Sequence, residues 1–453
     1  MTKISDTRSL SIAQYERGSY DAQVSSIQEP LSHNADISEA NGNHPLRRSH
    51  SLPTQHQRNN LMLQLGSHGQ AALSATEKSV LAELSIKRPA VPHNIILFSD
   101  PNKDPDDVVT FTIAKQLQSM GFVRVRDAII TLGSPNVREA RAQMAKGVFN
   151  SLGMRGVNVY MGKDYPMDDK QIKDHSKFLP EGLKLRAPDR MISGKGEESV
   201  KALELRLASA QKPVRLVVIA GMTDAAALVE NHPDLMKKKV DMVTVMGGIS
   251  NDRNLNEHVQ PDKRAYNNTA DQHAAETFYL RVQELGIPLR IISKEAAYKT
   301  AVPPSFYEAM AVNHHPVGDY LKDVQKNALK GLWEGVNAGL LPGLSREWFF
   351  HTFISEKDDL PSEEPASFED IWPNVTRLNL YDPLTLLATV DASTDLLMTP
   401  KVLPDTGKSR VELVSSDEIR EPEKARLLLT ALAKTALQTP DPAPQSHDAS
   451  MRL

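Results

Sequence analysis

Six short apolar runs, most separated from the next by a stretch of helical periodicity, leave this chain few folds to adopt. The runs are Asn94–Phe98, Asp127–Leu132, Val157–Tyr160, Val214–Ala220, Met242–Met246 and Leu289–Ile292. A run such as Asn94–Phe98, apolar at successive rather than alternate positions, belongs to a strand covered on both faces. After it, Val109, Ile113, Leu117 and Met120 recur at helical spacing. Strands alternating with helices predict an α/β fold, a mostly parallel open sheet flanked by helices. Ligands of such sheets bind beyond the carboxyl ends of the strands, so chemistry is expected in the loops that follow them.

Composition changes on either side of this span. Residues 1–88 are poor in aromatics and rich in Ser, Asn, Gln and His, which predicts a disordered arm. The folded domain is expected over 89–437, followed by a Pro- and Ser-rich flexible tail over 438–453. Residues 303–360 read as a helical lid or insertion carrying Phe306, Tyr307, Trp333 and Trp348; they either cover the ligand edge or add a packing layer. The complete lack of cysteine removes disulfides, thiolate metal sites and cysteine nucleophiles. A formal net charge of −4 and the absence of a basic, aromatic-interleaved stripe argue against nucleic-acid binding. No apolar run reaches membrane-spanning length, and the amino terminus lacks a signal-peptide core. Neither a Gly-x-Ser-x-Gly elbow nor a His-Glu-x-x-His zinc pattern occurs.

The first post-strand loop reads Asp100-Pro-Asn-Lys-Asp104-Pro-Asp106-Asp107. Capping of the following helix accounts for one or two of these aspartates. It does not account for four at the end of a buried strand, where they repel one another unless a hard cation holds them.

The segment from Ile95 to Val109 resembles the amino-terminal signature of the inosine–uridine nucleoside hydrolases, a strand leading into Asp-x-Asp-Pro-Gly-x-Asp-Asp. Further segments match in the family's order: Thr131-Leu-Gly-Ser-Pro-Asn136-Val, Val157-Asn-Val-Tyr-Met-Gly162, Ile219-Ala220-Gly221-Met-Thr-Asp, Val245-Met-Gly-Gly248, Ala265-Tyr-Asn267, and Tyr381-Asp382-Pro383. The resemblance implies one Ca²⁺ ion held by Asp100, Asp106, Asp107, Asp382 and the Ala220 carbonyl. It implies a catalytic pair, Asp100 as general base and Tyr381 in the place of a leaving-group acid. Asn136, Met246, Tyr266 and Asn267 would contact the ribosyl ligand. The implied reaction is attack of water on the anomeric carbon, with release of the base.

Three departures shape the expectation. Aligning the strand and the Asp-Pro pair puts Asp100 at the base position with two residues inserted before Asp106-Asp107. A gapless alignment puts Asn102 there, and an amide accepts no proton. Ala265 replaces a ribose-binding Glu beside Lys263 and Arg264, which either makes room for a 5′-phosphate held by these two cations or marks a site no longer used. Tyr381 replaces a His, and its pKa is poorly matched to neutral pH.

In the arm, Arg48-Ser49-His50-Ser51-Leu52-Pro53 is a complete Arg-Ser-x-Ser-x-Pro pattern, read by 14-3-3 proteins once Ser51 is phosphorylated. A nucleoside-hydrolase-like domain behind such an arm is similar to the HopQ/XopQ group of type III effectors of plant-pathogenic bacteria. That resemblance implies a secretion signal in the first residues and work in the host cell cytoplasm, on nucleotide-like ligands such as cytokinin ribotides. It also leaves open a catalytically silent domain that binds a ribosyl ligand such as ADP-ribose and acts through host proteins.

Overall fold

Strand β1 (His93–Ser99) lies inside the sheet, and its placement decides where the aspartate loop goes. It pairs in parallel with β2 (Val123–Ile130) on one side and β5 (Val214–Val218) on the other. Ile95 and Leu97 enter one core, Ile96 and Phe98 the other, because successive side chains leave opposite faces of a strand. Both faces are covered by helices, so the whole run is apolar.

The remaining strands are β3 (Asn158–Met161), β4 (Gly194–Lys195), β6 (Val240–Met246), β7 (Ile249–Arg253), β8 (Val259–Pro261), β9 (Leu289–Ile292), β10 (Lys401–Val402) and β11 (Val411–Val414). Nine of them form one sheet in the order β10-β11-β9-β6-β5-β1-β2-β3-β4, parallel throughout except at β10–β11. β7 and β8 form a separate antiparallel ribbon. This computed structural model describes residues 73–253, 258–341, 344–354, 367–404 and 408–438. Arg48, Ser51 and Pro53 of the phosphoserine motif, and the tail beyond 438, lie outside the described residues.

The expected α/β architecture is the one observed, with two adjustments. The helix Ala75–Ile86 falls inside the span assigned to the arm, so the boundary at 89 is too late. Ser74 and Glu77 form its capping box, with the Ser74 N–H donating to Glu77 Oε2 at 2.7 Å. Val80, Leu81 and Leu84 are buried as the helix packs on Pro422–Ala436, where Lys434 pairs with Glu77 at 2.9 Å. One short helix with three buried apolar side chains is invisible to an average over 88 residues.

Described parts of the 303–360 segment form three helices, Ser305–Ala311, Pro316–Asn337 and Arg346–Phe353. Phe306, Tyr307, Trp333 and Phe349 are buried in the larger core, the last two with ring centroids 4.9 Å apart. The segment is therefore a packing layer, and one residue of it also reaches the aspartate loop, as described below. Leu84→Ala should lower stability by roughly 2–5 kcal/mol in chemical denaturation if the helix Ala75–Ile86 belongs to the folded domain; an unchanged midpoint would detach it.

Candidate active site

The chain leaves β1 at Ser99 and enters the helix Asp106–Ser119 seven residues later. The Ser99 hydroxyl and the Asp100 N–H, the latter at 3.0 Å, both donate to Asp107 Oδ1 and pull the loop closed. Asn102, at φ +75°, takes the left-handed turn this requires, which asparagine tolerates better than most residues. It is fully buried and its amide is committed: Nδ2 donates to the Leu179 carbonyl at 2.8 Å, and Oδ1 accepts from the Tyr320 hydroxyl at 2.7 Å. A Cβ on Gly182 would come within 2.5 Å of that amide, so only glycine fits there.

This folding gathers the acids. Carboxylate oxygens of Asp104, Asp106 and Asp107 lie within 4.8 Å of one another, the first exposed and the other two buried. Asp382, in the first turn of the helix Tyr381–Thr389, donates its N–H to Asp106 Oδ2 at 3.4 Å. Burial, then repulsion from neighbouring carboxylates, pushes Asp106, Asp107 and Asp382 well above the usual carboxylate range. Asp100 stands outside the group of three and is pushed up to about 6 by burial, against the pull of the Arg141 guanidinium. Acids in this state lack a counter-charge, and an oxygen-only donor set suits a hard divalent cation. Asp104 is the acid that sequence reasoning passed over, because both alignments treat it as a spacer. The Asp-Pro that precedes Asp106-Asp107 was the available signal.

Other expected residues are scattered around this cluster. Ala220 is buried just past the end of β5. Asn136 is exposed in the first turn of the helix Pro135–Ser151. Asn267 Nδ2 donates to the Met246 carbonyl at 3.3 Å, joining those two candidates. Lys263 and Arg264 are largely exposed and face Glu276 (3.5 Å) and Asp262 (3.1 Å), so each already has an acidic partner. Tyr381 accepts from Asn379 Nδ2 at 3.3 Å, and burial and the neighbouring Tyr298 hold its hydroxyl well above its ordinary pKa.

Four residues beside the cluster went unread in the sequence. Lys103 sits 3.2 Å above the Tyr266 ring, and Asp174 holds both the Lys103 ammonium (3.0 Å) and the Tyr266 hydroxyl (2.9 Å). His175 is buried against Tyr165, whose hydroxyl lies 2.9 Å from His175 Nδ1; burial pushes the imidazole down to about 4, so it stays neutral. Arg141, fully buried, donates only to the carbonyls of Leu132 and Lys177. Lys103 is a spacer position of the aspartate loop, and Asp174, His175 and Arg141 lie in no recognisable motif; the fold brings them in from the helices Asp169–His175 and Pro135–Ser151.

A carboxylate cluster on the first post-strand loop of a mostly parallel sheet defines the nucleoside-hydrolase-like class. The chain belongs to the inosine-uridine preferring nucleoside hydrolase family, whose profile matches residues 95–422. It is similar to the type III effector protein XopQ, crystallised with adenosine diphosphate ribose: 54% identity, TM-score 0.75, covering 81% of this chain and 100% of that one. The effector protein XOO4466 matches at 54% identity and TM-score 0.74, with the same coverage. The purine-preferring ribonucleoside hydrolase of Gardnerella vaginalis, at 16% identity and TM-score 0.51, shares the fold over 76% of this chain and 99% of that one. No curated protein matches in sequence comparison. Tyr320→Phe should cost roughly 1–3 kcal/mol in urea denaturation, since it leaves the buried Asn102 oxygen without a donor; a neutral result would show that the strut does not hold the loop.

Proposed function

We propose that this domain binds a ribosyl nucleotide beside a calcium ion in the aspartate cluster and hydrolyses its N-glycosidic bond. The observation that carries the reading is the set of buried carboxylates, Asp106, Asp107 and Asp382 with Asp104 at the mouth, left without a counter-charge. Those four and the Ala220 carbonyl would hold the ion, with Asp100 at its edge. When bound, the ion supplies Lewis acidity and an anchor for the ribose hydroxyls.

Asp100 is the proton acceptor. Burial raises its basicity above that of an ordinary carboxylate, which suits it to take a proton from water. The water oxygen bonds to the anomeric carbon, the carbon–nitrogen bond breaks, and its electron pair departs with the base. Tyr381 holds its proton too tightly to assist that departure, so turnover favours bases that leave without protonation. Asn136, Met246, Tyr266 and Asn267 line the ribosyl moiety. Ala265, in place of an acidic residue, would admit a phosphate, for which Lys263 and Arg264 would exchange their contacts with Glu276 and Asp262. Nucleoside 5′-monophosphates, cytokinin ribotides among them, therefore join ADP-ribose as candidate ligands, the latter supported by the XopQ complex. That same complex and the unreactive Tyr381 favour a second reading, in which the ligand is held without turnover.

Likeness to a type III effector supports delivery into a host cell. There, phosphorylated Ser51, with Arg48 and Pro53 flanking it, would engage 14-3-3 proteins.

A panel of nucleosides, their monophosphates and ADP-ribose, incubated with calcium or with chelator, tests the site. Base release is expected from the phosphate-bearing members only, and chelator or Asp107→Ala should abolish it. Asp100→Asn should slow it by roughly 100- to 10,000-fold. Binding without release in the wild-type chain would instead establish the second reading. For the arm, a peptide spanning Arg48–Pro53 and phosphorylated at Ser51 should bind 14-3-3 while its Ser51→Ala form does not; equal behaviour of the two would remove that partner.

A further inference from the structure

The opposite edge of the sheet carries a charge imbalance of the other sign. Strands β1, β2 and β5 begin there, and the helix Glu197–Ser209 ends there. A cavity of about 390 Å³ opens at this edge, lined by Arg124, Arg126, Arg206 and Lys212, with Asn94 and Gln211 among its polar groups. Among the described residues no carboxylate lines it.

Local strand geometry delivers the arginines. Arg124 registers beside Asn94 of β1, and the register then skips Arg126: Ile95 faces Val125 and Ile96 faces Asp127. Arg124 and Arg126 are two residues apart on β2 and so leave the same face of the sheet, which is how one strand contributes both arginines to the cavity. Asp127 behind them is already spent. It pairs with Arg206 at 2.7 Å and accepts from Asn158 at 2.9 Å. Arg124 and Lys212 form no ion pair among the described residues, and Arg126 has only a 3.5 Å contact from Nε to Asn94 Oδ1. Burial, with Arg124 and Arg206 close by, lowers the Arg126 pKa, as crowding of like charges requires. A neighbouring cavity of about 250 Å³ makes the contrast. There Arg290 and Arg410 both pair with Glu412, at 2.6 and 2.7 Å, and a second acid, Asp241, lines the wall.

We propose that the cavity is a binding site for a small molecule bearing a pyrophosphate or two phosphate groups. Once Arg206 is set against Asp127, Arg124, Arg126 and Lys212 remain, and two phosphates bring about three to four negative charges at neutral pH. Guanidinium groups grip phosphate oxygens in pairs, which lysine alone does not do. Val91, Pro92, Ile96 and Val214 supply an apolar wall for the rest of the ligand, and the volume falls within the range of small-molecule sites, about 300–1,000 Å³. This site stands independently of the ribosyl reading, since its residues share nothing with the aspartate cluster.

Calorimetric titration of the full chain with inorganic pyrophosphate, in chelator so that the aspartates hold no metal, is the test. One-to-one binding is expected, weakening as salt is raised. Arg124→Ala and Arg126→Ala should each weaken it roughly ten-fold or more, Lys212→Ala should weaken it less, and Asp106→Asn should leave it unchanged. Thermal melts confirm that each variant is folded; if an arginine variant is not, the exposed Lys212→Ala carries the comparison. Absence of binding, binding indifferent to all three basic substitutions, loss of binding in Asp106→Asn, or tighter binding of an oligo-aspartate peptide than of pyrophosphate would each overturn the assignment.

Discussion

Negative charge buried at the end of a central strand is the constraint around which this structure is organised. Because β1 is flanked on both sides and covered on both faces, the loop that leaves it starts inside the fold, and of its four aspartates only Asp104 is exposed. Its carboxylates consequently sit in a medium that penalises their charge. The fold offers partial relief. Asp106 and Asp382 occupy the first turns of two helices, where the backbone dipole favours anions. Ser99 and the Asp100 N–H bond Asp107, and Arg141 and Lys103 stand beside Asp100. The relief is incomplete, because Arg141 spends its donors on carbonyls and Lys103 is held by Asp174. A divalent cation is the simplest species that removes what is left.

What could be read in advance follows from which physical signals are local. The six apolar runs were legible because a strand buried on both faces is apolar over most of its length. β4 and β10, two residues each, carry no such pattern, and β11 is a four-residue run whose Glu412 disguises it; that glutamate is buried between Arg290 and Arg410, which both pair with it. The acids were legible as a group, since four aspartates in one loop have few explanations. Their division of labour was not. Asp104 joins Asp106 and Asp107 only once the chain turns at Asn102, and that turn depends on Leu179 and Tyr320, far away in sequence. Lys263 and Arg264 illustrate the converse: adjacency to Ala265 made them phosphate candidates, while in three dimensions nearby acids hold both.

The two edges of the sheet are thereby opposite in character. Carboxyl ends of the strands gather anionic side chains that call for a cation, whereas the amino ends of β1, β2 and β5 gather arginines whose single nearby acid is already paired. Such segregation arises because each loop and strand end is free to choose its polar residues once the apolar interior is settled. Both imbalances are costly in isolation, and a folded chain tolerates them most readily where a ligand of the other sign is at hand.

The lengthened aspartate loop gains a physical account from this arrangement. In the register that keeps Asp-Pro and Asp-Asp together, the loop exceeds the family pattern by two residues, and Asn102 and Lys103 lie in the lengthened stretch. Neither is idle. Asn102 anchors the loop to Leu179 and, through Tyr320, to the aromatic layer of residues 303–360. Lys103 ties it to Asp174 and lies over Tyr266, linking three segments that approach the site from separate strands. A drifting, disused loop would be expected to lose such ties, since each requires a partner more than seventy residues away to keep its identity and position. Residues of the lengthened stretch thus hold the loop in the form that presents Asp100.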